Sequence, residues 1–277
     1  MESGRRGAQG PDSIGSRAMP RTYQYRRGAF EPLDKGVVTE RPLTILVNGQ
    51  ELATMMSTPV KLDYLVVGFL SFEGIIQDLA DITSLEIHEE MGLAEVTLAR
   101  PFTPPTRRVF TSGCSGGITF SLALQPYPPI LSEEVLKPEQ VYPLMRQLFE
   151  ACTLYMATRG VHGAALSDGE KLLIAAEDVG RHNALDKIMG EALLKEIPTR
   201  GRILLSTGRI SSEMLRKGAH MGTPFIISRT SPTSLAIEGA KQLGITLIGY
   251  ARGDSFNLYT HPERILYTPA AEPAPTR

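Results

Sequence analysis

Apolar and polar positions follow two different rhythms along this chain. Between Leu43 and Met56, the segment TILVNGQELATMM sets Asn48 and Gly49 between two short apolar runs. That dipeptide tolerates positive φ, so the spacing predicts a tight hairpin. Leu62, Leu65, Val66 and Phe69 then recur at helical spacing, with Thr58 as candidate cap, Pro59 in the first helical position and Gly74 as the stop. SLEIHEEMGLAEVTLA reads as a second hairpin, around Gly92. Hairpin, helix, hairpin predicts a small α/β roll that ends near residue 105.

Farther along, apolar runs alternate with helical stretches. Val141 to Thr158 carries Leu144, Leu148, Cys152 and Tyr155 on one helical face. KLLIAAE, RILLS, PFIIS and ITLIGYA are short buried-strand runs, separated by helices expected over Asn183 to Glu196, Ser211 to Met221 with Gly222 as stop, and Pro232 to Leu243 with Gly244 as stop. Such alternation predicts crossover units and a largely parallel sheet, hence an α/β protein. The domain reading is a loose tail over 1–20, a small N-terminal α/β domain over 21–135, a larger α/β domain over 136–268, and a loose tail over 269–277. Both tails are rich in Pro, Gly, Ser or Ala and have no periodic apolar face to offset the entropy of ordering.

Composition narrows the partners. A chain of 277 residues, 42% apolar, can bury a substantial core. With 29 Lys and Arg against 30 Asp and Glu, no broad field draws it to nucleic acid or a membrane, so an anionic ligand must be met locally. The longest apolar run, Tyr64 to Phe72, is too short to span a bilayer, and the start lacks the apolar core of a secretory signal. Cys114 and Cys152 form neither a disulfide framework nor a structural zinc pattern. A reducing, cytoplasmic location is expected.

In an open parallel sheet, ligands bind beyond the carboxyl ends of the strands. The loops after the four strand runs are EDVGRHN, STGRISS, SRTSPTS and ARGDS, which carry Arg181, Arg209, Arg229 and Arg252. Together with helix N-termini, these arginines suit a phosphate or pyrophosphate; the bland alternative is that loop arginines merely cap nearby carboxylates. Glu177 and Asp178 are read either as helix-capping groups or as acceptors for a purine edge. Cys114, in TSGCSGG, has no apolar neighbours to bury it and is a candidate reactive thiol, with Arg107 and Arg108 near in sequence, whereas Cys152 reads as core filler. His162 in GVHGAAL lacks the glutamate of a zinc deaminase signature, Ala164 standing in its place, so no metal site is expected there. It is either packed or a proton-handling residue.

Taken together, EDVGRHNALDKIMG, STGRISSEMLRKGAHMGTPFIISRTSPTSLAIEGAK and YTHPER, with VNGQELATMMSTP, GFLSFEGII and the GCSGG loop, resemble the FdhD family of sulfur-carrier accessory proteins of formate dehydrogenase, from about Glu40 to Ile265. The resemblance implies a homodimer with a cytidine-deaminase-like fold but no zinc. It further implies a persulfide accepted from a cysteine desulfurase on the residue matching Cys114, then passed to the molybdenum bis(molybdopterin guanine dinucleotide) cofactor before insertion into formate dehydrogenase. Tyr250, Ala251, Arg252, Gly253, Asp254 and Ser255 match the cofactor-binding segment, for which a guanine nucleotide is a partial mimic. One departure stands out. The family's C-x-x-C motif has Gly117 at its second cysteine, so Cys114 would act without a resolving partner.

Overall fold

The computed structural model describes residues 16–17, 22–33, 36–105, 109–110, 118–119 and 126–267. Its first sheet is built from β1 (Arg41–Val47), β2 (Gln50–Ser57), β3 (Ile82–His88) and β4 (Leu93–Leu98) in the order β2-β1-β4-β3, with β1 and β4 parallel and the outer pairs antiparallel. Asn48 and Gly49, at φ 50° and 74°, close the β1–β2 hairpin, as the dipeptide requires for a turn whose twist matches its strands. Gly92 lies between β3 and β4 as expected.

Helix α1 (Leu62–Phe72) lies against this sheet. Its run LVVGFL is apolar on every side because the helix has two neighbours, the sheet on one flank and helix α4 (Arg181–Leu194) on the other. The two helices touch backbone to backbone. A Cβ at Gly68 would fall inside the van der Waals shell of the Asp186 carbonyl, and one at Gly190 would meet the Tyr64 carbonyl. α1 starts later than expected: its N-cap is Lys61, and Thr58 is not the cap. The backbone N–H and carbonyl of Thr58, and its hydroxyl, are all engaged by the second half of the chain.

The second sheet contains β5 (His162–Ser167), β6 (Leu172–Asp178), β7 (Ile203–Ser206), β8 (Phe225–Ser228), β9 (Thr246–Arg252) and β10 (Ser255–Leu258), ordered β6-β5-β7-β8-β9-β10. Only β7–β8 and β8–β9 are parallel; β6–β5, β5–β7 and β9–β10 are antiparallel, so the sheet is mixed and not largely parallel. The cause is β5, which the small residues of HGAALS conceal as a strand. The turn from Asp168 to Lys171, held by N–H groups of Glu170 and Lys171 donating to the Asp168 carboxylate, is too short for anything but a hairpin. Helices α2 (Pro138–Ala151) and α3 (Thr153–Thr158) contribute to the core on one sheet face, and α4, α5 (Ser212–Met221) and α6 (Ser234–Leu243) to the core on the other. The single helix expected over Val141 to Thr158 breaks at Cys152, whose ψ of 75° leaves the helical region. Gly222 and Gly244 end α5 and α6 as expected.

The start of the chain adds two short pairings. Ser16–Arg17 pair with Val37–Val38, although they fall in the segment read as a tail, and Thr22–Arg26 pair with Ala29–Leu33 as an exposed hairpin. Residues 269–277 lie outside the described residues. Among the described residues, no helix is long and apolar enough to cross a membrane.

The α1–α4 contact leaves no room for a methyl group at either glycine, and the clashing atoms are main chain. Gly190→Ala should therefore lower unfolding stability by about 3 kcal/mol, read as a shift of the urea midpoint; an unchanged midpoint would mean that the helices separate without cost.

Candidate functional site

Two reversals of direction, β6 to β5 and β5 to β7, leave β6 pointing the same way as β7, β8 and β9. The loops after these four strands consequently open at one sheet edge; Arg181, Arg209 and Arg229 follow the carboxyl ends of β6, β7 and β8, and Arg252 is the last residue of β9. The contacts group them in two. Arg181, 4% exposed in the first turn of α4, converges with His162 on Gly208, where a Cβ would stand 3.3 Å from both His162 Nδ1 and Arg181 Cβ. Burial lowers the pKa of His162, as do the charges of Arg181 and Arg209, while Asp178 opposes them. Arg209 is exposed.

Arg229 and Arg252 form the second group. The Arg229 guanidinium lies 5.0 Å over the Phe149 ring and donates to the Tyr155 hydroxyl at 3.4 Å, while Arg252 Nε donates to the Arg229 carbonyl at 3.2 Å. Arg229 is thus committed in part to the α2–α3 side. Tyr250 adopts φ 53°, uncommon for a tyrosine, where β9 bends; Arg252 rests 5.8 Å from its ring. Ala251, Arg252, Gly253, Asp254 and Ser255 line a cavity of about 360 Å³ whose other wall is the start of α2.

The two acidic residues at this edge face inward. Glu177 accepts from the backbone N–H groups of Leu154 at 3.0 Å and Tyr155 at 2.6 Å, which fixes α3; burial raises its pKa against those bonds. Asp178, 0% exposed, accepts from Thr58 N–H (3.1 Å), Gly180 N–H (2.8 Å), Asn183 Nδ2 (2.9 Å) and Lys187 Nζ (2.6 Å). Lys187, also fully enclosed, places its remaining donors on the Thr58 and Glu177 carbonyls. Neither carboxylate is available to a purine, and the N-cap of α4 is Gly180 instead of Asp178.

Sequence reasoning missed Lys187 and a second buried pair, Asp186 with Lys217 at 2.5 Å, where burial pushes the Asp186 carboxyl up to about 7. Nearby, His182 lies 3.3 Å from Glu213, and burial holds its pKa well below the usual value. For Lys187, the available sequence signal is a lysine on a buried helix face nine residues beyond an acidic strand end; Asp186 and Lys217 come from two different helices and share no such spacing. Cys152 is buried against Gly163, and burial pushes its thiol up to about 12, in keeping with core filler. Cys114, Arg107 and Arg108 lie outside the described residues; on either side of the cysteine segment, Val109–Phe110 pair with Ile118–Thr119.

Comparisons with known proteins agree with one another. The model of the FdhD/NarQ family matches residues 38–266. Over 249 residues the chain is 41% identical to the sulfur carrier protein FdhD of Bacillus subtilis (strain 168), covering 88% of this chain and 95% of that relative. Over 251 residues it is 43% identical to the sulfur carrier protein FdhD of Staphylococcus haemolyticus (strain JCSC1435), again covering 88% and 95%. A crystal structure described as a formate dehydrogenase accessory protein, from Desulfotalea psychrophila, superposes with a TM-score of 0.77 at 31% identity, covering 91% of this chain and 99% of that one.

Removing the Asp178 carboxylate strands a buried ammonium and an inward-facing N–H. Asp178→Ala should cost about 3–5 kcal/mol in urea unfolding, and a loss below 1 kcal/mol would mean that water replaces the carboxylate without penalty. The histidines predict a pH dependence of definite sign. His162, His182 and His220 have folded pKa values below 6.5, so the stability they confer is present above that pH and is lost as pH falls. Asp186, raised to about 7, acts in the opposite direction over the same range, so the histidine contribution is read as a difference: from pH 7 to pH 5 the melting temperature of His182→Gln should rise relative to that of the parent, and a constant difference would contradict the assignment.

Proposed function

The chain belongs to the FdhD/NarQ family, and from that premise we propose that it is a sulfur carrier for formate dehydrogenase maturation, with Cys114 as the carrying residue. The Cys114 thiolate attacks the outer sulfur of a persulfide on a cysteine desulfurase. The new S–S bond forms at Cys114, the donor's own S–S bond breaks, and the donor cysteine leaves as a thiolate, so no external oxidant enters. The sulfur then passes to the molybdenum bis(molybdopterin guanine dinucleotide) cofactor, which is cargo, before its insertion into formate dehydrogenase.

The observation that carries the cofactor part of this reading is the common edge shared by the four arginine loops. A pyrophosphate at that edge meets Arg252 and Arg229 on one side and Arg181, Arg209 and the first turn of α4 on the other. The first turn of α4 holds no acidic residue, and the buried Asp178 carboxylate before it takes the Gly180 N–H, which leaves the arginines as the main anion partners at this edge. His162, kept toward its neutral form, can accept a proton at the same edge. The cytidine-deaminase-like assignment of the second sheet, the cytoplasmic location and the homodimer belong to the same proposal. Gly117 favours a second reading, a chaperone that holds the cofactor without moving sulfur.

Mass spectrometry separates the two. After incubation with a cysteine desulfurase and cysteine, the parent protein should gain reductant-sensitive sulfur mass and Cys114→Ala should not; absence of any gain with an active cognate donor favours the chaperone. Alkylation at pH 8 should modify Cys114 alone in the native protein and both thiols in urea, because the Cys152 thiol, pushed up to about 12, stays protonated and enclosed.

A further inference from the structure

We propose that the outer face of β3 and β4 carries a site for a divalent first-row transition ion of the zinc type, held by His88, Glu86 and Glu95. The site belongs to the first sheet, whereas the arginine edge and His162 belong to the second, and it stands independently of the sulfur-carrier reading.

Strand register brings the three residues together. Glu86 and Glu95 are direct partners in the antiparallel β3–β4 ladder, and His88 follows Glu86 by two residues, on the same face. The other face of β4 presents Ala94 and Val96, which are buried in the core beneath the sheet, so Glu95 lies on the outer face. His88 Nε2 lies 3.0 Å from Glu95 Oε2 and 3.9 Å from Glu86 Oε2, and one ligand atom from each of the three falls within 4.8 Å of the others. The hairpin that carries them is fixed at its turn: Gly92 adopts φ 62°, and a Cβ there would meet the Pro42 carbonyl of β1.

Two carboxylates directly opposite each other across a ladder repel. The imidazole alone does not match them both. The single N–H that Nε2 can offer reaches Glu95, while Glu86, at 3.9 Å, is beyond hydrogen-bond distance. Among the described residues, no lysine or arginine pairs with either carboxylate. The surrounding sequence deepens the imbalance: residues 62–99 contain three Asp and five Glu but no Lys or Arg, in a chain whose totals are 30 acidic and 29 basic residues. A cation from outside the chain is the charge that this face lacks.

The donor set selects the ion. One imidazole nitrogen and two carboxylate oxygens suit zinc, whose bonds to such ligands are about 2.0–2.2 Å long. Ligand atoms on an ion of that size stand about 3–4 Å apart, so the observed spacing closes by rotation of the exposed glutamate side chains alone. Nε2 coordinates through its lone pair, with the ring hydrogen on Nδ1. The glutamate side chains are 68% and 50% exposed, which leaves the remaining positions of the ion to water. Magnesium, which prefers oxygen ligands and dehydrates reluctantly, gains little from the imidazole. Once bound, the ion clasps β3, the edge strand of its sheet, to β4.

The test is calorimetry on the full-length protein, stripped of metal, with zinc chloride and with magnesium chloride. The parent should bind one equivalent of zinc that His88→Ala loses and that Glu86→Gln and Glu95→Gln each weaken by roughly ten-fold or more; magnesium should not bind there. Cys114→Ala should retain that equivalent, which separates it from zinc held by the thiol. Melting temperature gives a second readout. Zinc should raise that of the parent and leave that of His88→Ala unchanged. Without zinc, Glu86→Gln should melt no lower than the parent, because it relieves the like-charge pair. The inference is overturned if the parent binds no zinc, if His88→Ala binds it with the parent's stoichiometry and affinity, or if magnesium binds as tightly as zinc. Parent-like melting temperatures in the absence of zinc establish that the variants are folded.

Discussion

The structure depends first on one carboxylate without water. Asp178 is enclosed on all sides, and an ion so placed persists only when its lone pairs are matched. Its partners come from two regions far apart in sequence: Thr58, at the approach to α1, and Gly180, Asn183 and Lys187, at the start of α4. One group therefore fixes the end of β6, the start of α4 and the entry of the first sheet's helix. The glycine contact between α1 and α4 continues the same joint, since main chains can meet that closely only where both helices are held in register. A buried pair of this type is weak evidence for net stability against an apolar replacement. Its effect here is to select one arrangement of the two sheets.

The anion edge inherits its geometry from that joint. Arg181 follows Asp178 by a single tight turn, and His162 is the residue opposite Asp178 in the β5–β6 ladder. Because Asp178 and Glu177 are spent internally, the edge presents arginines and a histidine with few carboxylates beside them. A chain whose formal net charge is −1 thereby acquires a local cationic face without a cationic composition. Burial together with Arg181 and Arg209 keeps His162 from adding a further charge, so it is better suited to accept a proton than to bind an anion by charge.

What the sequence made legible was local. The Asn48–Gly49 turn and the Gly222 and Gly244 stops obey rules that act within a few residues, and they were read correctly. The arginine edge was also legible, but for an incomplete reason: the sheet is mixed, and β6 shares its direction with β7 to β9 only because β5 reverses twice. Thr58 has the composition of a cap, yet its polar atoms are claimed by Asp178, Val179 and Lys187, more than a hundred positions away, and periodicity has no access to such partners. Cys152 fits the helical stripe and still breaks the helix, since Glu177 recruits the N–H groups of Leu154 and Tyr155 to start a new one.

Under the proposed function, the chemistry of release is constrained by what Cys152 cannot do. A carrier with two neighbouring cysteines can expel its outer sulfur by forming an internal disulfide. Gly117 removes that route within the motif, and Cys152 is packed beneath β5 against Gly163 with its thiol pushed up to about 12, so the fold provides no substitute among its cysteines. The outer sulfur of a Cys114 persulfide can then leave only by attack from outside the chain, with the Cys114 thiolate as leaving group. A thiolate of lower pKa leaves faster. Release from a single-cysteine carrier is for that reason governed by the acceptor's approach and by whatever favours the departing Cys114 thiolate at that moment.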